Sequence, residues 1–249
     1  MQQVENEKVS DVADIAPFIE AGIHIGHSRA KRHPKMMPFI YGTRNSIEII
    51  DVIKTKVNLD DACAFLKKVG ESGGQILFVG TRPGVRELVI ESAKKLNMPY
   101  VSTRWIGGTL TNFSIISKRT RDMEELERLK VSGEIEKYPK KERILKEKEA
   151  EKLKKFLDGL RLLKKMPAVV VVLNVAHETH AVREVYKLAI PMVGIVDTDA
   201  NPNPVAYPIP ANDDALTSIK FILDRLVGAV SQGMDLQKEN QAKASIGAS

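Results

Sequence analysis

Short apolar runs alternate with amphipathic segments along most of this chain, and that alternation restricts its fold more than any other feature. Gln75–Val79, Ala168–Leu173 and Met192–Val196 read as buried strands, the β-branched run at Ala168–Leu173 most strongly. Tyr100–Thr103, after Pro99, is a shorter strand, and Val205–Ile209, set among prolines, is an edge strand. Helical spacing fills the gaps: a helix after Gly80-Thr81-Arg82-Pro83-Gly84 to about Leu96, a second over Glu178–Ala189, and a third over Asp213–Val230. The last turns Leu216, Ile219, Leu223, Leu226 and Val230 inward. Strands that alternate with helices imply an α/β fold with a mostly parallel sheet covered on both faces.

The amino-terminal part is less regular. Asp14–Ala21 places Ile15, Phe18 and Ile19 on one helical face before Gly22. Phe39–Tyr41 and Ile47–Ile50 read as strands around a Gly42-Thr43-Arg44-Asn45 turn, followed by helical spacing over Val57–Val69. Thr111–Lys165 is different again, with two helical stretches and no credible strand. Phe113, Ile116, Met123 and Leu126 share one face of the first, and Leu153, Phe156, Leu160 and Leu163 one face of the second. So narrow an apolar stripe suggests an antiparallel helical hairpin projecting from the sheet; the alternative is two surface helices lying flat on it. The expected divisions are a polar tail at 1–10, an α/β domain at 11–110 and 166–230, an inserted hairpin at 111–165 and a frayed tail at 231–249.

The formal net charge is +6, which fits an anionic partner such as nucleic acid or simply a basic surface. Its distribution says more. Between Ala21 and Ile47 there is no acidic residue, yet Arg29, Lys31, Arg32, Lys35 and Arg44 occur. Ser92–Arg121 is also free of acids and contains Lys94, Lys95, Arg104, Lys118, Arg119 and Arg121. Such stretches suit phosphate contact, because lysine and arginine release counterions and exposed amides add hydrogen bonds. Trp105 and Tyr41 lie beside them as stacking rings or as packing residues. A single cysteine, Cys63, with no signal sequence or membrane-spanning run, points to the cytoplasm and away from a membrane partner.

Catalytic signatures are missing. There is no dinucleotide fingerprint, no phosphate-binding Gly-Lys-Ser/Thr loop and no Gly-x-Ser-x-Gly elbow. An α/β enzyme acting on a phosphorylated metabolite is the alternative reading, built on loops at the carboxyl ends of the strands. Ala189–Ile219 has no lysine or arginine but holds Asp197, Asp199, Asp213 and Asp214. His24 or His27 with Asp197 or Asp213 could hold a divalent cation, zinc or magnesium, whereas Asp213 or Asn212 could equally cap the last helix.

Several segments together resemble one family. Ala21-Gly22-Ile23-His24-Ile25-Gly26-His27, His33-Pro34-Lys35-Met36 and Phe39-Ile40-Tyr41-Gly42-Thr43-Arg44-Asn45 are similar to the opening of the bacterial-type small-subunit ribosomal protein S-two family. Ile76–Thr81, Arg104–Asn112, Pro191–Thr198 and Ile209–Ala215 continue the likeness in order, across about residues 12–230. Arg32-His33 stands where the family usually has Trp-Asn, and Ala211 where it usually has Gly. The resemblance implies a flavodoxin-like, doubly wound domain with an inserted coiled-coil hairpin, and a place in the small ribosomal subunit among neighbouring proteins. It implies contacts with ribosomal RNA, no catalysis, no small-molecule substrate and no required cofactor. In some bacteria it implies a link to ribosomal protein S-one. The expected RNA contacts are Arg29, Lys31, Arg32, Lys35, Arg44, Arg104, Lys118 and Arg119, with Gly107 and Gly108 allowing close backbone approach.

Overall fold

A continuous run of four valines, Val169–Val172, is fully buried at the centre of the molecule, because helices cover both faces of the strand it forms. The computed structural model describes residues 15–246; the polar tail expected at 1–10 lies outside them. The strands are β1 (Ile25–Ser28), β2 (Ile40–Arg44), β3 (Ile47–Ile50), β4 (Ile76–Val79), β5 (Tyr100–Val101), β6 (Val169–Val172), β7 (Met192–Val196) and β8 (Tyr207–Pro210). The helices are α1 (residues 15–20), α2 (Val52–Glu71), α3 (Arg86–Leu96), α4 (Phe113–Val131), α5 (Lys140–Leu157), α6 (Thr179–Lys187) and α7 (Leu216–Ile246).

Five strands form a parallel sheet in the order β5-β4-β6-β7-β8. This is the doubly wound, flavodoxin-like order, with its topological switch between β4 and β6. β8 lies at the edge, where its two prolines, Pro208 and Pro210, can be accommodated. Alternation along the strands sorts side chains into two cores. Ile76, Phe78, Val169 and Val171 face a cluster with residues of α2, α3 and α7. Leu77, Val79, Val170 and Val172 face a cluster with Ile116 and Met123 of α4, Leu157 of α5 and Val185 of α6.

The boundaries differ from the sequence expectation in three places. The second sheet has three antiparallel strands, β1-β3-β2, and β1 is an addition to the two expected there. The turn between β2 and β3 is Asn45-Ser46, both with positive φ (50° and 63°), so β2 runs through Gly42–Arg44, the residues read as a turn. The last helix continues to Ile246, well past Val230, correcting the frayed end expected from Ser231. The polar composition there conceals a helix crossing. Gly233 packs so tightly on α2 that a side chain at this position would strike the Lys67 carbonyl.

Residues 111–165 contain α4, α5 and short 3-10 turns, and no strand. α4 buries Ile116, Thr120 and Met123, whereas α5 buries only Leu157 at its end. The two helices are tied through Glu127, which pairs with Lys154 (3.2 Å) and Arg161 (2.7 Å). Hydrogen bonding by Arg161, opposed by partial burial and reinforced by Lys154, holds the Glu127 carboxyl down at about 2.

Candidate RNA-binding surface

The antiparallel sheet sits at the carboxyl ends of the parallel strands, pinned by the residue after Asp197. The Thr198 hydroxyl accepts from the His27 amide (2.8 Å), and the Thr198 carbonyl accepts from the His33 amide (2.8 Å). A Cβ at Gly26 would lie 2.6 Å from Thr198 Cγ2, so only glycine permits this approach. From this anchored base, Arg29, Lys31, Lys35 and Arg44 reach solvent, and none pairs with a described carboxylate. Tyr41 is 82% exposed, an open ring beside those cations. Arg32 behaves differently from the other four basic residues. Its Nη1 donates to Oε1 of Glu48 (3.0 Å), and Glu48 is 0% exposed. The other Glu48 oxygen accepts from the Thr43 hydroxyl (2.8 Å). The Arg32 guanidinium is thus committed to a buried acid inside the sheet.

The second basic stretch leaves the carboxyl end of β5. Arg104, Lys118 and Arg119 line the molecule's surface, and Trp105 is buried. The loop between them closes around the Glu184 carboxylate of α6. Oε1 accepts from Trp105 Nε1 (3.0 Å) and the Gly108 amide (2.6 Å). Oε2 accepts from the Leu110 and Thr111 amides (both 3.1 Å) and the Thr111 hydroxyl (3.2 Å). Burial pushes the Glu184 carboxyl up, but these donors outweigh it and leave it below the usual range. Gly108, with φ 89°, makes the turn possible, yet its amide points at Glu184. Gly107 is exposed, and nothing lies within 4 Å of where its Cβ would be. Of the two glycines, Gly107 offers open backbone and Gly108 shapes the loop.

At the topological switch a doubly wound enzyme would hold its ligand. Here Glu178, 4% exposed, occupies that position: one oxygen accepts from both the amide and the hydroxyl of Thr81 (2.7 Å each). Nearby, the expected histidine–aspartate group assembles only in part. His27 Nδ1 lies 3.1 Å from Asp197 Oδ2, and its Nε2 lies 3.3 Å from Asp214. The Asp213 amide donates to Asp197 (3.3 Å), and Arg82 pairs with Asp214 (2.7 Å). His24 takes no part; its Nδ1 is buried and unpartnered. Among the described residues, no group of three or more histidine, cysteine, aspartate or glutamate side chains could hold a metal ion. Asn212 provides the cap, its Oδ1 accepting from the Asp214 (2.9 Å) and Ala215 (3.1 Å) amides, while Asp213 is buried. Burial, with Asp197, Asp199 and Asp214 nearby, pushes the Asp213 carboxyl up to about 8, against the pull of Arg82.

Residues 18–233 match the family described as ribosomal protein S2. The chain belongs to the ribosomal protein S2 family. It is 45% identical over 218 residues to small ribosomal subunit protein uS2 from each of two strains of Thermus thermophilus, covering 88% of this chain and 85% of each relative. It is 43% identical over 222 residues to small ribosomal subunit protein uS2c of Rhodomonas salina, covering 89% and 91%. Ribosomal protein S2 is a structural protein and not an enzyme, and the phosphorylated-metabolite reading finds no support. No described helix is long and apolar enough to cross a membrane.

Within this S2 fold, three carboxylates that sequence reasoning passed over organise the surface: Glu48, Glu178 and Glu184. Each bonds to residues near the ends of strands, the last two across long sequence separations. Only Glu48 carried a local signal, as the first acid after a run of cations and an interruption in the apolar Ile47–Ile50 strand.

Proposed function

We propose that this chain is a structural constituent of the small ribosomal subunit that grips its RNA from the carboxyl-end side of the parallel sheet. The observation that carries this reading is the set of solvent-facing cations on two anchored loops, Arg29, Lys31, Lys35 and Arg44 on one and Arg104, Lys118 and Arg119 on the other. None of them is neutralised by a described acid. The names of the relatives, small ribosomal subunit proteins, support it. Arg32 and Gly108 support the contacts from within, and Gly107 gives the RNA backbone room to approach. Residues 111–165 serve as a two-helix coiled-coil arm toward RNA or neighbouring ribosomal proteins, ribosomal protein S-one among the candidates. The protein works in the cytoplasm as part of the subunit and needs no cofactor.

The test is sedimentation with small subunits. The protein should travel with them at low salt and come off as salt rises, since phosphate contacts release counterions. A protein that stays wholly free of subunits at low salt would end this reading.

A further inference from the structure

Between the loop after β5 and the two helices α4 and α5 lies a cavity of about 280 Å³. Pockets near 300 Å³ are at the small end of ligand sites, with room for one ring system and its immediate substituents. Three cations border it, Arg104 from the loop, Arg119 from α4 and Lys152 from α5, and no carboxylate does. Its remaining wall is apolar, chiefly Ile106, Leu153 and the half-buried ring of Phe156. Trp105 closes one side, with its indole fixed by Glu184 at 3.0 Å.

The charges here are left open, whereas some of their neighbours are neutralised. Lys154 and Arg161 pair with Glu127, and Arg128 pairs with Glu125 at 2.7 Å. Arg104, Arg119 and Lys152 make no ion pair with any described residue. A small apolar slot with an aromatic ring and three free cations at its mouth matches a flat apolar ring that carries negative charge on its attachment. A nucleotide has that form, with a base to stack and phosphates on either side.

Building on the RNA-binding function proposed above, we infer that this cavity receives one unpaired nucleotide of single-stranded RNA. The base lies against Phe156, Ile106 and Leu153. Arg104, Arg119 and Lys152 meet the flanking phosphates. Gly107, which carries no side chain to obstruct the rim, lets the ribose-phosphate backbone pass. A duplex cannot deliver a base into so narrow a slot, so the site selects single strands or bulges.

Trp105 is the only tryptophan in the chain and lines this cavity, so its emission senses what enters there. The experiment titrates the full-length protein with short mixed-sequence single-stranded RNA, with duplex RNA of equal length, and with small-subunit ribosomal RNA. Single strands should shift or quench the Trp105 emission, and duplex should not. Phe156→Leu keeps the wall apolar and removes the stacking ring; it should weaken single-strand binding by at least about fivefold. Arg119→Gln combined with Lys152→Gln touches only cavity-rim cations and should lower the salt dependence by about one to two contacts. Lys220→Gln, on α7 across the sheet and already paired with Asp224 (2.8 Å), should change neither. If wild type and both cavity variants bind ribosomal RNA alike and Trp105 stays silent, the cavity assignment is wrong while the ribosomal function stands. If an acidic peptide shifts Trp105 and single-stranded RNA does not, the assignment is also wrong. A wild type that binds no ribosomal RNA at all overturns the function on which it rests.

Discussion

The two acid-free basic stretches are each held by one carboxylate, but they use it in opposite ways. In the antiparallel sheet, Glu48 takes a side-chain cation, and one of the five basic residues, a quarter exposed, is tied to a buried acid. In the loop after β5, Glu184 takes backbone amides, a hydroxyl and an indole, and every cation stays free. A basic stretch without acids therefore does not mark a uniform RNA face. What decides a residue's role is whether an acid from elsewhere in the fold reaches it, and which of its groups that acid needs.

The sharpest way to break this contrast is Arg32→Ala. It strands the fully buried Glu48 without its cation, which should cost about 3–4 kcal/mol. Urea denaturation at neutral pH measures it. A loss below about 1 kcal/mol would mean that Glu48 finds water or a proton, and Arg32 would return to the surface cations. Arg32→Lys should recover only part of the loss, because an ammonium does not reproduce the guanidinium's planar donor array.

Next in size is Glu184→Ala, which leaves the Gly108, Leu110 and Thr111 amides and the Trp105 indole without their acceptor. Hydrogen bonds to a charged group are strong, but the site is only half-buried and water can replace some of them, so a loss of about 2–3 kcal/mol is expected. The Trp105 emission should move to longer wavelength as the loop loosens. Glu184→Gln should recover only part, since its amide NH2 faces backbone donors.

These two residues also show what could be read from the sequence. The parallel sheet was legible because burial on both faces leaves a local trace, the continuous apolar run Val169–Val172. The exposed cations were legible because charge runs are local as well. Glu184 was not: on α6 it looks like any helix-surface acid, and its partners lie 73 to 79 residues earlier. β1 was hidden for a similar reason. Its Gly26 and His27 are explained by Thr198, 171 residues away from His27, and a four-residue segment with a glycine and two polar positions carries no strand signal of its own. The residues of the metal reading come together only in part. The sequence placed His24 and His27 close together, but β1 sends only His27 to the aspartates.

The aspartate cluster adds a third way of holding charge, by keeping one carboxyl protonated. Asp213 has its proton affinity raised to about 8 in the folded protein, against the ordinary carboxylate value in the unfolded chain. Over that interval the folded state holds more protons than the unfolded one. Its stabilising effect is therefore complete below about pH 4 and is lost as pH rises through about 8. Asp213→Asn, neutral at every pH, should gain on the wild type between about pH 6 and 9 by about 2–3 kcal/mol. Parallel unfolding curves for the two proteins across that range would show that Asp213 is already ionised in the fold, held by Arg82.

The smallest expected effect on stability is the most informative for function. Arg29→Ala and Lys31→Ala remove exposed cations with no described acidic partner, so each should change stability by no more than about 0.5 kcal/mol. Each should nevertheless lower the salt dependence of ribosomal RNA binding by about one contact, weakening all sequences alike. Arg32→Ala should show the reverse, a large loss in stability and an RNA affinity that recovers once the unfolded fraction is accounted for. If Arg29 and Arg32 instead gave the same salt slope and the same stability loss, the division between gripping and anchoring cations would collapse. Charge density alone would then describe this surface, and the carboxylates beneath it would be incidental.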